Sequence, residues 1–175
     1  MNKKKTLQLI FSGIGLALLL LIDQYTKFMA VTHLKDNADY IIAENIFRFQ
    51  YLENRGAAFG MLPNQRMFFV FSSMVMLTII VYVLVKTPSE KKYVPINALL
   101  ITIAAGAIGN MIDRIKLGYV VDFLYFEYIN FPIFNVADIC VSVGTALLVL
   151  FVLFYYKEED LKFLKMKIQK NNLRY

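Results

Sequence analysis

Tryptophan is absent from this chain, and cysteine and histidine occur once each, as Cys140 and His33. One cysteine excludes an intramolecular disulfide and any metal cluster built from thiolates alone. One histidine, with no second metal-type ligand close to it in sequence, argues against metal-assisted hydrolysis, so no metal is expected. Cys140 has no histidine beside it to serve as a base, and it reads as a small core residue rather than a nucleophile. His33 itself reads as a solvated residue at a helix end. No glycine-rich loop of the P-loop type is present, and no cofactor is implied. Charge is also scarce: charged residues make up 18% of the chain against 58% hydrophobic, with a mean hydropathy of +0.54. That balance excludes an ordinary soluble domain. Without tryptophan, any aromatic belt at a membrane surface falls to the 11 tyrosines and 15 phenylalanines.

The apolar residues are gathered in blocks of membrane-spanning length, which requires roughly 20 residues. Spans are expected at about 6–28, 67–85, 93–112 and 137–156. Lys3, Lys4 and Lys5 before the uncharged run Thr6–Ile22 could open a cleaved signal peptide. The run is long, however, no small-x-small site closes it, and comparable spans follow. It reads as a first transmembrane helix that continues past Asp23 to about Ala30. Between the first two spans, Ile46–Leu52 alternates in polarity and is rich in β-branched and aromatic residues, which predicts strands in a sheet over about 37–62. The third span holds Ala105 and Gly109, a small-xxx-small pair that lets another helix pack closely. The residues 157–175 are basic and fit an amphipathic helix on an anionic surface. The expected architecture is a polytopic α-helical membrane protein, a single domain over 1–175.

The net charge of +6 orients the chain rather than marking a nucleic-acid partner. Lys3–Lys5, the Lys86–Lys92 loop and the basic tail all fall on one side if four spans alternate. The positive-inside rule makes that side cytoplasmic, with both termini there. Asp23, Asn54, Asp113, Asp122 and Asp138 then converge on the outer face.

Each of these has a plain reading beside a functional one. Asp23 and Lys27 are four apart and share a helix face, as a helix-end ion pair or as a brace for a polar pocket. Asn110, Asp113 and Arg114 also face one way, and Asp113 next to Arg114 reads as an ion pair or a structural brace. Asn54, Arg55 and Gly56 are ordinary turn residues, or a loop that lets backbone approach a ligand. Asp138, one residue before the uncharged run Ile139–Tyr156 and with Asn135 three positions earlier, fits a helix-start cap. Asp122 sits in GYVVDF, an alternating apolar stretch that would hold it rigidly. If the chain brings Asp122 and Asp138 together, like-charge repulsion raises one pKa and the pair shares a proton. Such a pair hydrolyses a peptide bond with neither a metal nor a covalent intermediate, one carboxylate taking a proton from water while the other protonates the carbonyl.

DQYTK (23–27), ENRGAAFG (53–60), GAIGNMIDRI (106–115), VVDF (120–123) and FNVAD (134–138) resemble, in order and spacing, the lipoprotein signal peptidases, or signal peptidase II. The resemblance spans nearly the whole chain. It implies an aspartic endopeptidase of the bacterial cytoplasmic membrane, acting on prolipoproteins just before their diacylglyceryl cysteine. It implies Asp122 and Asp138 as the catalytic dyad, with Asp23, Lys27, Asn54, Asn110, Arg114 and Asn135 at the polar supporting positions. Gly56 and Asp113 lie inside the same motifs. The fold implied is four transmembrane helices with a small extracytoplasmic β-sheet and a short loop helix over the site. Substrate prolipoprotein and membrane lipids are the expected partners, nucleic acid is not, and the chain is expected to be monomeric. Two departures are the aromatic Leu124–Phe131 segment and the long basic tail. A small ion or proton carrier would instead place its carboxylates near the membrane midplane, and a non-catalytic helical scaffold would tolerate asparagine at both Asp122 and Asp138.

Overall fold

A computed structural model of the chain describes residues 3–56 and 64–164. The Ala57–Gly60 part of the ENRGAAFG motif, the expected sheet end at 62 and the tail beyond Leu164 lie outside the described residues. The elements run α1 (Lys3–Leu34), β1 (Tyr40–Ala43), β2 (Phe47–Asn54), α2 (Arg66–Lys86), α3 (Val94–Lys116), β3 (Val120–Phe126) and α4 (Val136–Leu150). A π-helical turn, Phe151–Tyr155, extends α4. Among the described residues four helices are long and apolar enough to cross a membrane. Their outward faces carry exposed Phe11, Leu18, Phe71, Ile79, Val149 and Phe154. In water that exposure would be costly; in hydrocarbon it is the expected surface.

The third helix sits at the centre. Most of its apolar stretch is buried, whereas those of the other three helices are mostly exposed, because small residues let neighbours approach it from several sides. A Cβ added at Gly106 would collide with the carbonyl oxygen of Ala137 and with Val141 on α4. A Cβ at Gly109 would collide with the Asp23 carboxylate on α1. Close approach of the backbone is therefore what both glycines provide.

At one end of the bundle lies a three-stranded antiparallel sheet, β1-β2-β3. A turn through Asn45, whose φ of 57° suits asparagine, joins β1 to β2. The third strand comes from beyond α3: Gly118, at φ 86°, ends that helix and turns the chain back. The segment Tyr119–Phe131 thus supplies a strand and one 3-10 turn, Glu127–Ile129. The first half of β3 is wholly buried, with Val121 and Phe123 packed against Ala30 of α1.

At the other end the start of α1, the α2–α3 connection and the residues that follow α4 are tied together. The Lys5 ammonium donates to the carbonyls of Leu84 and Thr87 at 2.8 and 2.7 Å, capping the end of α2. Tyr93 and Tyr156 stack, and Tyr156 donates to the Lys92 carbonyl. Residues Lys157–Leu164 form turns and a 3-10 turn, not the amphipathic α-helix expected from their charge. Packing explains the difference: Asp160 pairs with Lys92 and Phe163 meets the Tyr93 ring edge-on, drawing the segment back onto the bundle.

Candidate active site

Asp122 reaches the site from β3, whose pairing of Asp122 with Leu52 sets its register against β2. A strand alternates its faces, so Val121 and Phe123 enter the apolar cluster while the carboxylate between them takes the other side. There Asn54 Nδ2 donates to one oxygen of Asp122 at 2.8 Å and Asn135 Nδ2 to the other at 2.6 Å. Asn54 is the last residue of β2 rather than a loop residue, and its own oxygen accepts from the Gly56 N–H at 2.9 Å.

Asp138 arrives from the first turn of α4. Asn135 is the N-cap and forms a full capping box: its side chain accepts from the Asp138 N–H at 3.0 Å, and its own N–H donates to Asp138 Oδ2 at 3.1 Å. The other oxygen of Asp138 accepts from Asn110 Nδ2 of α3 at 2.8 Å. The capping role is therefore real, and it aims the carboxylate. Asn135, completely buried, touches both aspartates with one side chain and one N–H.

Behind this pair stands a buried ionic layer. Lys27, only 3% exposed, lies 3.1 Å from Asp23 Oδ2 and 3.0 Å from Asp113 Oδ2, and donates to Asn110 Oδ1 at 2.9 Å. Asn135 donates to the same Asn110 oxygen. Asp23 also accepts from the Ala137 N–H at the start of α4, at 2.9 Å, and Asp113 from the Val121 N–H at 3.2 Å. Asp113 is in an ion pair, as one reading of it expected, but its partner is Lys27 and not Arg114: adjacent helical residues point about 100° apart, and Asp113 turns inward. Arg114 instead donates to the Gly56 carbonyl at 3.2 Å and lies over the Phe69 ring at 4.7 Å. Gln24 was not anticipated, although it adjoins the DQYTK aspartate; its amide donates to both Asp23 and Asp113.

Both aspartates line a cavity of about 350 Å³ that Arg114, Asn54 and Gly56 also border. Beyond Asp138 it continues along Ile139, Ser142 and Val143 of α4, toward the lipid-facing side, and Phe131–Phe134 form its lip. Burial pushes the Asp122 carboxyl up to about 7, and the neighbouring Asp138 charge adds to that, while the amides of Asn54 and Asn135 pull the other way. Among the described residues no group of histidine, cysteine and carboxylate side chains could hold a metal ion. A buried carboxyl near neutrality and a half-buried carboxylate beside one cavity are suited to moving protons to and from a water and a peptide carbonyl.

The family model described as signal peptidase (SPase) II matches residues 16–154. The chain belongs to the signal peptidase II family. It is 41% identical over 146 residues to a lipoprotein signal peptidase of Clostridium tetani, covering 82% of this chain and 92% of that one. A lipoprotein signal peptidase of Clostridioides difficile is 40% identical over 138 residues, covering 79% and 91%. A solved bacterial membrane enzyme superposes with a TM-score of 0.73 at 28% identity, over 82% of this chain and 87% of the other. As a signal peptidase II the protein is an aspartic protease with a membrane-embedded fold. Every site residue from Asp23 to Asp138 falls inside the matched range.

Proposed function

We propose that this signal peptidase II removes the signal peptide from prolipoproteins, cutting just before a cysteine that carries diacylglycerol, with Asp122 and Asp138 as its catalytic pair. The observation that carries the reading is that Asn135 holds both carboxylates against one cavity. One member, protonated, donates to the scissile carbonyl oxygen. The other takes a proton from water as its oxygen bonds to the carbonyl carbon. The resulting diol collapses as the C–N bond breaks, the amine leaving with a proton from the dyad and the new carboxyl staying on the signal peptide. The two residues titrate as a unit, so roles are assigned to the pair.

The remaining assignments follow from the same frame. Asn54, Asn110 and Asn135 fix the carboxylates, while Asp23, Lys27 and Asp113 hold the start of α4 and the strand β3 that carry them. Arg114 and Gly56 border the cavity where the substrate backbone would lie, and Arg114 is proposed to grip a backbone carbonyl. The lysine-rich end is cytoplasmic and the sheet end lies outside, so the site meets the outer headgroups, where a diacylglyceryl cysteine would sit. The lipid chains enter along Ile139 and Val143. The chain works as a single monomeric domain with no nucleic-acid partner.

The test is a gel-shift cleavage assay on a diacylglyceryl-modified prolipoprotein in lipid, with wild type, Asp122→Asn and Asp138→Asn, each checked for folding by thermal stability. Cleavage by wild type and its loss in both folded variants is expected. Loss in only one would break the dyad, and full cleavage by both would move the catalyst elsewhere.

A further inference from the structure

A second cavity lies at the opposite end of the bundle, between the start of α1 and the start of α3, with a volume of about 850 Å³. Lys4 and Lys91 line its mouth together with Ser89 and Glu90. Its walls below are apolar: Phe11 and Leu18 on α1, both largely exposed toward the bilayer, and Ile101 on α3. The cationic mouth thus gives way to a hydrocarbon-lined groove within two to three helical turns.

Between these two zones lies a polar step that the fold leaves unfinished. Asn97, in the first turn of α3 and 6% exposed, lines the cavity, as does Gln8 of α1. Among the described residues neither Asn97 Oδ1 nor Gln8 Oε1 has a hydrogen-bond partner. Both oxygens are enclosed beside the cavity wall, and a buried amide oxygen is costly unless a side-chain rotation brings it to a donor. Asn97 is three positions past the start of α3, only about 4–5 Å along the axis by helical rise. With the start of α3 at a headgroup layer, that offset matches the depth of a glycerol backbone. The start of α3 has no side-chain cap, and its first residue, Val94, also lines this cavity. Cations and a helix start outside, hydrogen-bonding amides beneath and an apolar groove below follow the order of parts in a glycerophospholipid.

We propose that this cavity is a binding site for an anionic glycerophospholipid with a hydroxylated headgroup. Its phosphate lies near Lys4 and Lys91, a hydroxyl donates to Asn97 or Gln8, and one acyl chain runs between Phe11 and Ile101. Glu90 at the mouth favours a headgroup that offers a hydroxyl donor over one with a second negative charge. The proposal needs only that this end of the bundle meets a headgroup layer, and it stands apart from the chemistry at Asp122 and Asp138.

The experiment is native mass spectrometry of the full chain released from detergent, titrated with phosphatidylglycerol or with phosphatidylcholine, whose headgroup has neither net charge nor a hydroxyl. Wild type is expected to retain one phosphatidylglycerol at concentrations where phosphatidylcholine is lost. The double variant Lys4→Gln/Lys91→Gln should bind it about tenfold or more weakly, since each lysine near an anionic surface contributes about 1 kcal/mol. Gly15→Leu supplies a second variant. A Cβ there meets Ile101 at an ordinary 3.8 Å, so the helix tolerates it while the larger side chain fills the groove. It should lose the bound lipid with folding intact by thermal unfolding. Equal retention of the two lipids by wild type, or retention of phosphatidylglycerol by both variants, would overturn the proposal in favour of ordinary annular lipid.

Discussion

Lys27 offers the sharpest perturbation of the site. The residue is 3% exposed, and its ammonium satisfies three groups at once: the carboxylates of Asp23 and Asp113 and the oxygen of Asn110. Lys27→Met keeps most of the stem's volume and removes the charge, leaving two carboxylates facing each other in a low-dielectric interior. Removing one partner of a buried ion pair costs about 3–5 kcal/mol. At about 2–4 °C per kcal/mol for a chain of this size, the unfolding midpoint should fall by roughly 6–20 °C.

The loss should also reach the proposed dyad, because Asn110 orients Asp138 and Asp23 holds the first turn of α4. Thermal unfolding in detergent measures the first effect, and cleavage of lipidated prolipoprotein well below the lowered midpoint measures the second. Lys27→Met/Asp113→Asn removes one of the two orphaned charges. Asp23 then keeps its donors from Ala137 N and Gln24, so the double variant should regain part of the lost stability. A single variant within about 2 °C of wild type, or a double variant no better than the single, would refute the claim that this cation carries the layer.

Three further outcomes can be checked. With Asp122 raised to about 7 by burial and by Asp138, cleavage should fall above about pH 7 as the pair loses its shared proton, and the same raised value makes the fold less stable as pH climbs from about 4 to 7. Asp122→Asn should therefore abolish cleavage yet gain on the order of 2 kcal/mol over wild type at pH 8, with little gain near pH 4, read by unfolding at both values. Gly106→Ala should cost about 1–3 kcal/mol and reduce cleavage, because its Cβ meets the Ala137 carbonyl, whereas Gly13→Ala, with open space around it, should change neither. Arg114→Ala should raise KM with smaller effect on kcat; unchanged processing and unchanged affinity would remove Arg114 from substrate binding.

Hydropathy made the four helices legible because a membrane helix must satisfy its backbone internally and show an apolar exterior, and both requirements are written in local sequence. The convergence of Asp23, Asp113, Asp122 and Asp138 on one end followed from alternating spans alone. Pairings across elements were harder. Nothing local says that Asp113 prefers Lys27, more than eighty positions away, to adjacent Arg114; the choice is made by helix rotation and by the opening that Gly109 leaves beside Asp23. Nor does GYVVDF announce a strand paired with residues before α2, since the turn at Gly118 and the partner strand both come from tertiary context. The segment from Lys157 misled for the same reason: its charge suggested a surface helix, while Tyr93 and Lys92 supplied a docking place that composition does not reveal.

The layering of the site shows how the Asp122 carboxyl can be held near neutrality beside a second carboxylate. Every oxygen of Asp122 and Asp138 meets an amide or backbone N–H rather than a cation. Amide donors satisfy a carboxylate without the strong preference for its ionised form that a touching lysine would impose. The one nearby ammonium, on Lys27, is set a residue layer back and bound to two other carboxylates, so its pull on Asp122 ranks below burial, the Asp138 charge and both amides. Moving that cation forward would stabilise the fold and fix both aspartates as anions, leaving no proton to give to a carbonyl. On the proposed reading of the pair, the asparagines act as spacers between a stabilising ionic layer and a reactive one, and the raised pKa of Asp122 is what would make proton transfer near pH 7 available.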